Sequence, residues 1–356
     1  NWLNFYGLGA GSDGPADNPD SDIWNNALEY ALCLDPTSGV PNHLGFCVEA
    51  ITSTEYDASF IRVAGGVSDV TYCIEARSSL PLNGGDTWTL LEEIPGSGTG
   101  SIAGVTVTDN GDGTETVRLA DIDTTAPLTQ SQGFVRLTIK LDDDGNAGTD
   151  PVESSTMVQG WQETTYTQNQ CETFSYPWLK KENLSGSIAS VSGNELTISG
   201  TPGLSVLLEA GKSYYLEVIE GDNAGHRFDV NSANAIGVVT LATDTELCAG
   251  PPFNTLAPIP GALVMDRFIL REHHTIEGLF PAASFTAEPD PSLADRLLIY
   301  EGGTTPWKVV YVDDPAVWKD EISGNNVGTD VLPPSQGFFV HPKATAGNVT
   351  ILGMGV

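Results

Sequence analysis

The amino-acid sequence predicts an all-β protein built from many short strands. The 356 residues include 39 glycines and 22 prolines. Short runs rich in β-branched and aromatic residues alternate with turn residues, which is typical of strands rather than helices. No apolar run approaches the roughly 20 residues of a membrane-spanning helix, so we expect no membrane span. The length allows two domains or three small ones, each with a core of its own.

The predicted elements fall into four consecutive parts. We expect an N-terminal segment with a loop and a short helix over 1–36, a β-sandwich over 37–141, an acidic linker over 142–155 and a second β domain over 156–356. Six or seven strand-like runs in the second part favour a sandwich. The linker is polar, contains Gly and Pro, and concentrates negative charge, which is typical of a boundary.

The loop before the helix carries oxygen-bearing groups at the spacing of a twelve-residue calcium loop. Its first, third, fifth, seventh, ninth and twelfth places are filled by Asn18, Asp20, Asp22, the Trp24 carbonyl, Asn26 and Glu29. Calcium takes six to eight oxygens at about 2.3–2.6 Å, and this spacing can wrap them around one centre. Glu29, on the first helical turn, is expected to close the shell with two oxygens. We therefore expect calcium as the bound cofactor.

A second interpretation of the same loop stays open. The sixth place, usually Gly for a sharp turn, is Ile23 here. A run rich in Asp and Asn before a helix is also typical of N-capping and turns without a metal. Under either interpretation the loop is structural, because protein groups would fill every ligand position.

The helix itself is predicted over Ile23–Leu34. Leu28, Ala31 and Leu32 fall on one side of it, and Asp35-Pro36 ends it. Further along, Asn110-Gly111 lies between two strand-like runs and predicts a hairpin turn.

Other acidic stretches have weaker metal-binding signals. Asp109 and Asp112 flank the predicted hairpin turn and are interpreted as turn formers. The acidic run at 142–150 allows either a solvated linker or a second calcium site.

The charge balance restricts the class of partner. Forty-seven acidic residues against fifteen basic ones give a formal net charge of −32. Such a surface repels phosphate backbones and anionic lipids, so we expect neither nucleic-acid nor membrane-surface binding. It favours solubility, calcium and cationic partners, and it is typical of a salty or extracellular setting.

The cysteines also favour an extracellular protein. They are Cys33, Cys47, Cys73, Cys171 and Cys248. Without CxxC spacing they disfavour zinc, thioredoxin-type redox and c-type haem sites. In a secreted chain, Cys33 could form a disulfide with Cys47 or Cys73, and Cys171 with Cys248, which leaves one thiol over. The chain begins at Asn1 rather than Met, as expected after signal-peptide removal or trimming.

Two resemblances add to these expectations. The run NPDSDIWNNALEYALCLDP, followed by DVTYCIEARSSL, DNGDGTETVRL and GFVRLTIKL, resembles a C-terminal module of secreted and surface proteins of Verrucomicrobia and Planctomycetes. In that module a DPDGDG-type loop and an NLLEYALG-type helix precede a small sandwich. The resemblance covers residues 15–141. Here Ile23 and Trp24 replace the loop glycine and a small residue, and Cys33 replaces the helix-ending Gly.

The second half, residues 156–356, is similar to an uncharacterised family of secreted verrucomicrobial β proteins. The similarity rests on GSIASVSGNELTISG, SYYLEVIEGDNAGHRFDV, GLFP and TDVLPPSQGFFVHP. It implies a small barrel-like insertion over residues 184–270 and supplies no activity. The complete expectation is an all-β protein with a calcium loop and short helix on a β-sandwich, followed by a second β domain with that insertion.

No motif of reaction chemistry is present. The sequence lacks HExxH, GxSxG, a P-loop and a GxGxxG after a strand. His273-His274 is the only adjacent histidine pair, and neighbours on a strand point to opposite faces. We therefore expect a non-enzymatic extracellular or surface protein that self-assembles into a fibre or layer. Its aromatic N-terminus, with Trp2, Leu3, Phe5 and Tyr6, either packs on the domain's own sheet or docks on a neighbouring subunit.

Two alternative functions stay open. The first is a polysaccharide-binding module, in which Trp161, Trp178, Trp307 or Trp318 stacks on sugars, although tryptophans are more commonly buried. The second is a glycoside-type hydrolase, which only the abundance of carboxylate pairs supports.

Overall fold

A computed structural model describes most of the chain. The described residues are 5–9, 11–20, 22, 24–38, 45–52, 55–79, 87–98, 102–129, 131–142, 151–175, 179–180, 182–199, 208–221, 223–233, 237–246, 263–301, 307–313, 315–334, 337–343 and 348–355.

Strands dominate the described residues, which confirms the all-β prediction. The strands are β1 Phe46–Thr52, β2 Glu55–Val63, β3 Gly66–Arg77, β4 Thr89–Ser97, β5 Val105–Asp109, β6 Thr114–Leu119, β7 Gln132–Leu141, β8 Val152–Ser155, β9 Gln159–Tyr166, β10 Glu172–Ser175, β11 Glu182–Ser192, β12 Glu195–Ile198, β13 Tyr214–Glu220, β14 Arg227–Ala233, β15 Val238–Glu246, β16 Arg267–Glu272, β17 His274–Thr275, β18 Arg296–Tyr300, β19 Trp307–Asp313, β20 Val317–Asp320, β21 Val331–Leu332, β22 Gly337–His341 and β23 Val349–Gly355. The helices are α1 Asn26–Leu32 and α2 Ile276–Leu279, with 3-10 turns at Ile122–Thr124 and Ala282–Ser284. No helix among the described residues is long and apolar enough to cross a membrane.

Two sheets share the N-terminal core. One has the order β1-β2-β6-β5, and the other has the order β23-β9-β7-β3-β4 with β8 also paired to β7. Alternate side chains on each strand enter the core, as Phe46 and Val48 do on β1 and Tyr72 and Ile74 do on β3. Helix α1 joins the same core through Leu28 and its neighbours. The predicted sandwich is thus present, with the helix packed on it.

The larger sheet extends beyond the predicted sandwich boundary. Strands β9 and β23, both within 156–356, pair with each other, and β9 also pairs with β7. Residues 152–155, expected in the linker, form β8 and pair with β7 over Thr138–Leu141. These residues are strand rather than linker because their backbone groups complete the ladder of β7. The remainder of the acidic run, 143–150, lies outside the described residues, as does the second calcium site expected there.

The predicted barrel-like insertion is a closed six-stranded barrel of order β11-β12-β15-β14-β13-β16. Its strands begin at Glu182 and end at Glu272, so the barrel encloses the expected range 184–270. Buried residues such as Leu196, Leu216 and Phe268 fill it.

A third core lies beneath the sheet of order β10-β22-β18-β19-β20, next to the two-stranded β17-β21 pair. Trp318 is fully buried there, and its indole Nε1 donates a hydrogen bond to the Phe280 carbonyl at 2.6 Å. The Phe285 ring packs edge to face on Trp318, and the Phe280 ring packs edge to face on both Phe285 and Phe338.

The predicted disulfide of Cys33 is not formed. The structure has no disulfide among its described cysteines, Cys33, Cys47, Cys73 and Cys171. Cys47 lies between two core residues of β1, and Cys73 lies between two core residues of β3. Both thiols therefore leave their sheets on the side away from the core where α1 packs. The expected partner of Cys171, Cys248, lies outside the described residues.

Candidate metal centre

The predicted loop brings its acidic side chains together in front of α1. One carboxylate oxygen from each of Asp20, Asp22 and Glu29 lies within 4.8 Å of the others. Two oxygens that each lie about 2.4 Å from one calcium ion can be at most about 4.8 Å apart. The three carboxylates therefore meet the distance limit that sharing one cation requires.

Five buried oxygens in this loop accept no hydrogen bond from the described residues. They are Oδ1 of Asn18, Oδ2 of Asp20, Oδ1 of Asn26, and Oε1 and Oε2 of Glu29. Leaving one buried polar group unpaired costs about 1–3 kcal/mol, and a charged group costs more. Four of the predicted ligand residues thus have buried lone pairs that no group among the described residues satisfies.

Glu29 is the most deeply buried of these groups. Its side chain belongs to α1, and the residue has 0% exposure, while Asp22 and Asn26 each retain 2%. Burial, followed by the negative charges of Asp20, Asp22 and Asp35, raises the pKa of Glu29 to about 9. Burial likewise raises the pKa of Asp20 to about 6, although backbone N–H groups oppose the shift. A cation at this place would supply the opposite charge that favours the ionised form of these two carboxylates.

Local hydrogen bonds explain how the loop folds. The Asp22 backbone N–H donates to Asp20 Oδ1 at 3.2 Å, and the Trp24 backbone N–H donates to Asp22 Oδ1 at 2.6 Å. These are turns in which an Asp side chain binds the backbone two residues later. The Asn18 amide donates to the Asp22 carbonyl at 2.6 Å. The loop is thereby bent without the glycine that usually occupies its sixth place.

Asn26 fixes the segment that precedes the loop. Its Nδ2 donates to the carbonyls of Ser12 and Gly14 at 3.0 and 2.8 Å. Its backbone N–H donates to the Asp17 carbonyl at 2.8 Å. Residues 12–17 therefore satisfy donors at the start of the helix, and the amide of Asn26 is oriented by its two donated hydrogen bonds.

Helix capping is performed by a residue outside the predicted ligand set. Asn25 has extended backbone geometry, and its side-chain oxygen accepts from the Leu28 N–H at 3.1 Å. The interpretation without a metal, N-capping and turns, accounts for Asn25 and for the hydrogen bonds that Asp20 and Asp22 accept within the loop. It gives no role to the five oxygens that lack a described partner. Calcium binding stays a prediction.

The helix is shorter than predicted, Asn26–Leu32 rather than Ile23–Leu34. It starts after the Asn25 cap and ends where Cys33 adopts a left-handed conformation with φ of 58°. The Cys33 N–H bonds to the last helical turn, as glycine usually does at this place.

Trp24 contributes packing as well as backbone. Its indole is 5% exposed, lies in the sandwich core, and approaches Gly45. Its backbone N–H is fixed by Asp22, as described above. The coordination of its carbonyl stays a prediction.

The centre is tied to the sandwich through α1. The Tyr72 hydroxyl donates to the Ala31 carbonyl at 2.6 Å, and Asn25 Nδ2 donates to Ser154 Oγ at 2.9 Å. Tyr30 contacts both carboxylate oxygens of Asp69 at 3.2 Å. Helix α1, which carries Glu29, and its cap are therefore hydrogen-bonded to β3 and β8.

The structure also reveals a polar pair that the sequence did not indicate. His273 is 2% exposed, and its Nε2 lies 2.7 Å from Asp229 Oδ1, with its ring against Tyr215. His274 lies in a different sheet, where β17 pairs with β21. Asp229 and His273 are 44 residues apart, and no local pattern connects them.

The comparisons with known proteins found no relative of this chain. No family model, no curated protein and no solved structure matches this chain.

Proposed function

We propose that this chain is a calcium-stabilised architectural protein of an extracellular surface or matrix, without a catalytic role. The observation that carries the proposal is the set of five buried oxygens beside Asp22 that have no hydrogen-bond partner among the described residues. All the ligand atoms in the set are oxygens, which suits a hard divalent cation rather than zinc or copper. Protein groups occupy the coordination shell of the ion, so the role of the ion is to stabilise the fold.

Self-association is part of this proposal, and it is supported by two sheet edges. Among the described strands, β1 and β4 each end a sheet. Each carries a half-exposed apolar side chain, Ile51 at 47% and Leu90 at 48%. Edge strands with exposed apolar residues readily pair with another copy of a chain. Negative-stain images and light scattering of the purified protein test this part: ordered polymers support it, and a monomer at all concentrations contradicts it.

The calcium proposal is tested by thermal unfolding in calcium and in chelator. At a calcium concentration 100 times the dissociation constant, binding stabilises the folded state by about 2.7 kcal/mol. If the 356 residues unfold as one unit, that free energy corresponds to a rise in melting temperature of about 4 °C, because the unfolding entropy is about 2.1 cal/mol/K per residue. Calcium should restore the melting temperature after chelation, and calorimetry should give one ion per chain.

Two matched substitutions show whether the effect of calcium on the melting temperature depends on Glu29. Glu29→Gln replaces the most buried ligand with a neutral side chain of the same shape, so the melting temperature should fall and added calcium should not restore it. Glu195→Gln removes the same charge from an exposed position on β12 and should keep the full calcium response. Equal melting temperatures of the wild-type protein in calcium and in chelator would remove the metal from the proposal.

A further inference from the structure

A cavity of about 260 Å³ opens beside the hairpin of β18 and β19. Its apolar floor contains Ile276, Ile299 and Leu332, each at most 4% exposed. Ligand pockets commonly begin at about 300 Å³, so this cavity has room for one ring-sized group.

Three charged side chains line the same cavity. Lys308 Nζ lies 2.6 Å from Asp330 Oδ2 and 4.0 Å from Glu301 Oε1. All three keep contact with solvent, with 20%, 41% and 55% of their side chains exposed, in the order Lys308, Asp330, Glu301. The cavity therefore offers one ammonium donor between two carboxylate acceptors, directly above an apolar floor.

An aromatic cluster adjoins the cavity. Tyr300 lines it and is 40% exposed. Tyr300 pairs across the strands with Trp307, which is 39% exposed, and the two ring centroids are 5.1 Å apart. The ring centroid of Phe339 lies 5.2 Å from the ring centroid of Trp307. By contrast, Trp161 and Trp318 are fully buried, and Trp178 lies outside the described residues. Of the three described candidates, only Trp307 presents its ring to solvent.

We propose that this cavity and its aromatic rim bind a neutral sugar residue of a polysaccharide. A pyranose ring has apolar C–H faces that pack on aliphatic and aromatic side chains, and hydroxyl groups that both donate and accept hydrogen bonds. The carboxylates of Glu301 and Asp330 accept from such hydroxyls, and Lys308 donates to them. The excess of carboxylates here, together with the net charge of −32, disfavours uronic-acid and sulfated polymers. The inference goes beyond the architectural function, because it gives the protein a site that attaches it to a glycan matrix.

The experiment is affinity electrophoresis of the full chain, in calcium, through gels containing dextran, mannan or laminarin as neutral polymers or alginate as an anionic one. Retardation by at least one neutral polymer is expected. Lys308→Met should weaken that binding by about tenfold, because it removes the ammonium donor and the loss of one such hydrogen bond is worth about 1.4 kcal/mol. Tyr300→Ala should also weaken it, because it removes the ring on which the sugar packs. Ile322→Ala is the control, because Ile322 is 90% exposed and is not one of the residues that line the cavity.

Melting temperatures of all variants are measured in parallel. If Tyr300→Ala loses its fold, Asp330→Asn retains the shape of the cavity and should still weaken binding. The proposal is overturned if no neutral polymer retards the protein, if alginate alone does so, or if binding survives the cavity variants unchanged. It rests on different residues from the calcium proposal, so the two proposals can fail separately.

Discussion

The buried ion pair between Arg62 and Glu115 offers the sharpest test of how the sandwich is held together. The two residues face each other on β2 and β6, with Arg62 Nε 2.7 Å from Glu115 Oε1. Arg62 also donates to the Pro95 carbonyl on β4 at 2.8 Å, and Glu115 accepts from the Gly65 N–H at 3.1 Å. The pair therefore connects both sheets of the sandwich, and its two residues are 1% and 8% exposed.

The burial of this ion pair sets the loss of stability expected when one partner is removed. Arg62→Met removes the cation and leaves the Glu115 carboxylate buried without its main partner, which costs about 3–5 kcal/mol. The double variant Arg62→Met/Glu115→Leu removes both charges, so we expect it to be more stable than Arg62→Met alone. Isosteric apolar replacement of a buried pair is often neutral.

Urea unfolding in calcium measures these differences, provided that the slope with denaturant is the same in all variants. Lys140→Met is the control, because its contact with Glu93 is 3.9 Å long and about half exposed on the glutamate side. An exposed pair of this kind contributes about 0–1 kcal/mol. A cost below about 1 kcal/mol for Arg62→Met, or a double variant destabilised by the sum of both single changes, would refute the reasoning.

Two further substitutions test local features. Asn25→Ala removes the helix cap, so the free energy of unfolding should fall by about 1 kcal/mol. The loss should be the same in calcium and in chelator. A loss seen only in calcium would show that Asn25 belongs to the metal shell. Gly133→Ala would place a Cβ 2.5 Å from the ring of Trp161 and 2.8 Å from Leu128. This overpacking should lower the free energy of unfolding, measured in urea, by about 1–3 kcal/mol. Unchanged stability would mean that the fully buried Trp161 moves freely.

Local signals in the sequence predicted local structure well. The hairpin expected at Asn110-Gly111 joins β5 to β6, and Gly111 has a positive φ of 78°. Asp109 and Asp112 are turn formers, as predicted, because each accepts a hydrogen bond from a backbone N–H two residues later. The acidic side chains of the twelve-residue loop also come together, since a contiguous spacing needs no information from the rest of the chain.

The pairing of strands that are far apart in the chain could not be predicted from the sequence. Strand β23 pairs Val349 with Tyr166 on β9, and nothing near either strand identifies its distant partner. The cysteine prediction is different, because a usable signal was present. Cys47 and Cys73 each stand between two apolar residues that enter the core, and strand alternation alone places their thiols on the other face.

The coupling between loop and sandwich gives the calcium proposal a quantitative consequence. A ligand that binds only the folded state stabilises it by an amount that grows with the logarithm of its free concentration above the dissociation constant. Because Tyr72 and Asn25 tie α1 to β3 and β8, that free energy should appear in the unfolding of the sandwich and not merely in the order of the loop. Amide hydrogen exchange in β3 should therefore slow about tenfold for each tenfold rise in calcium, wherever exchange requires the sandwich to unfold. Exchange that slows in the loop while β3 remains unaffected would show that the ion orders its own ligands and nothing else.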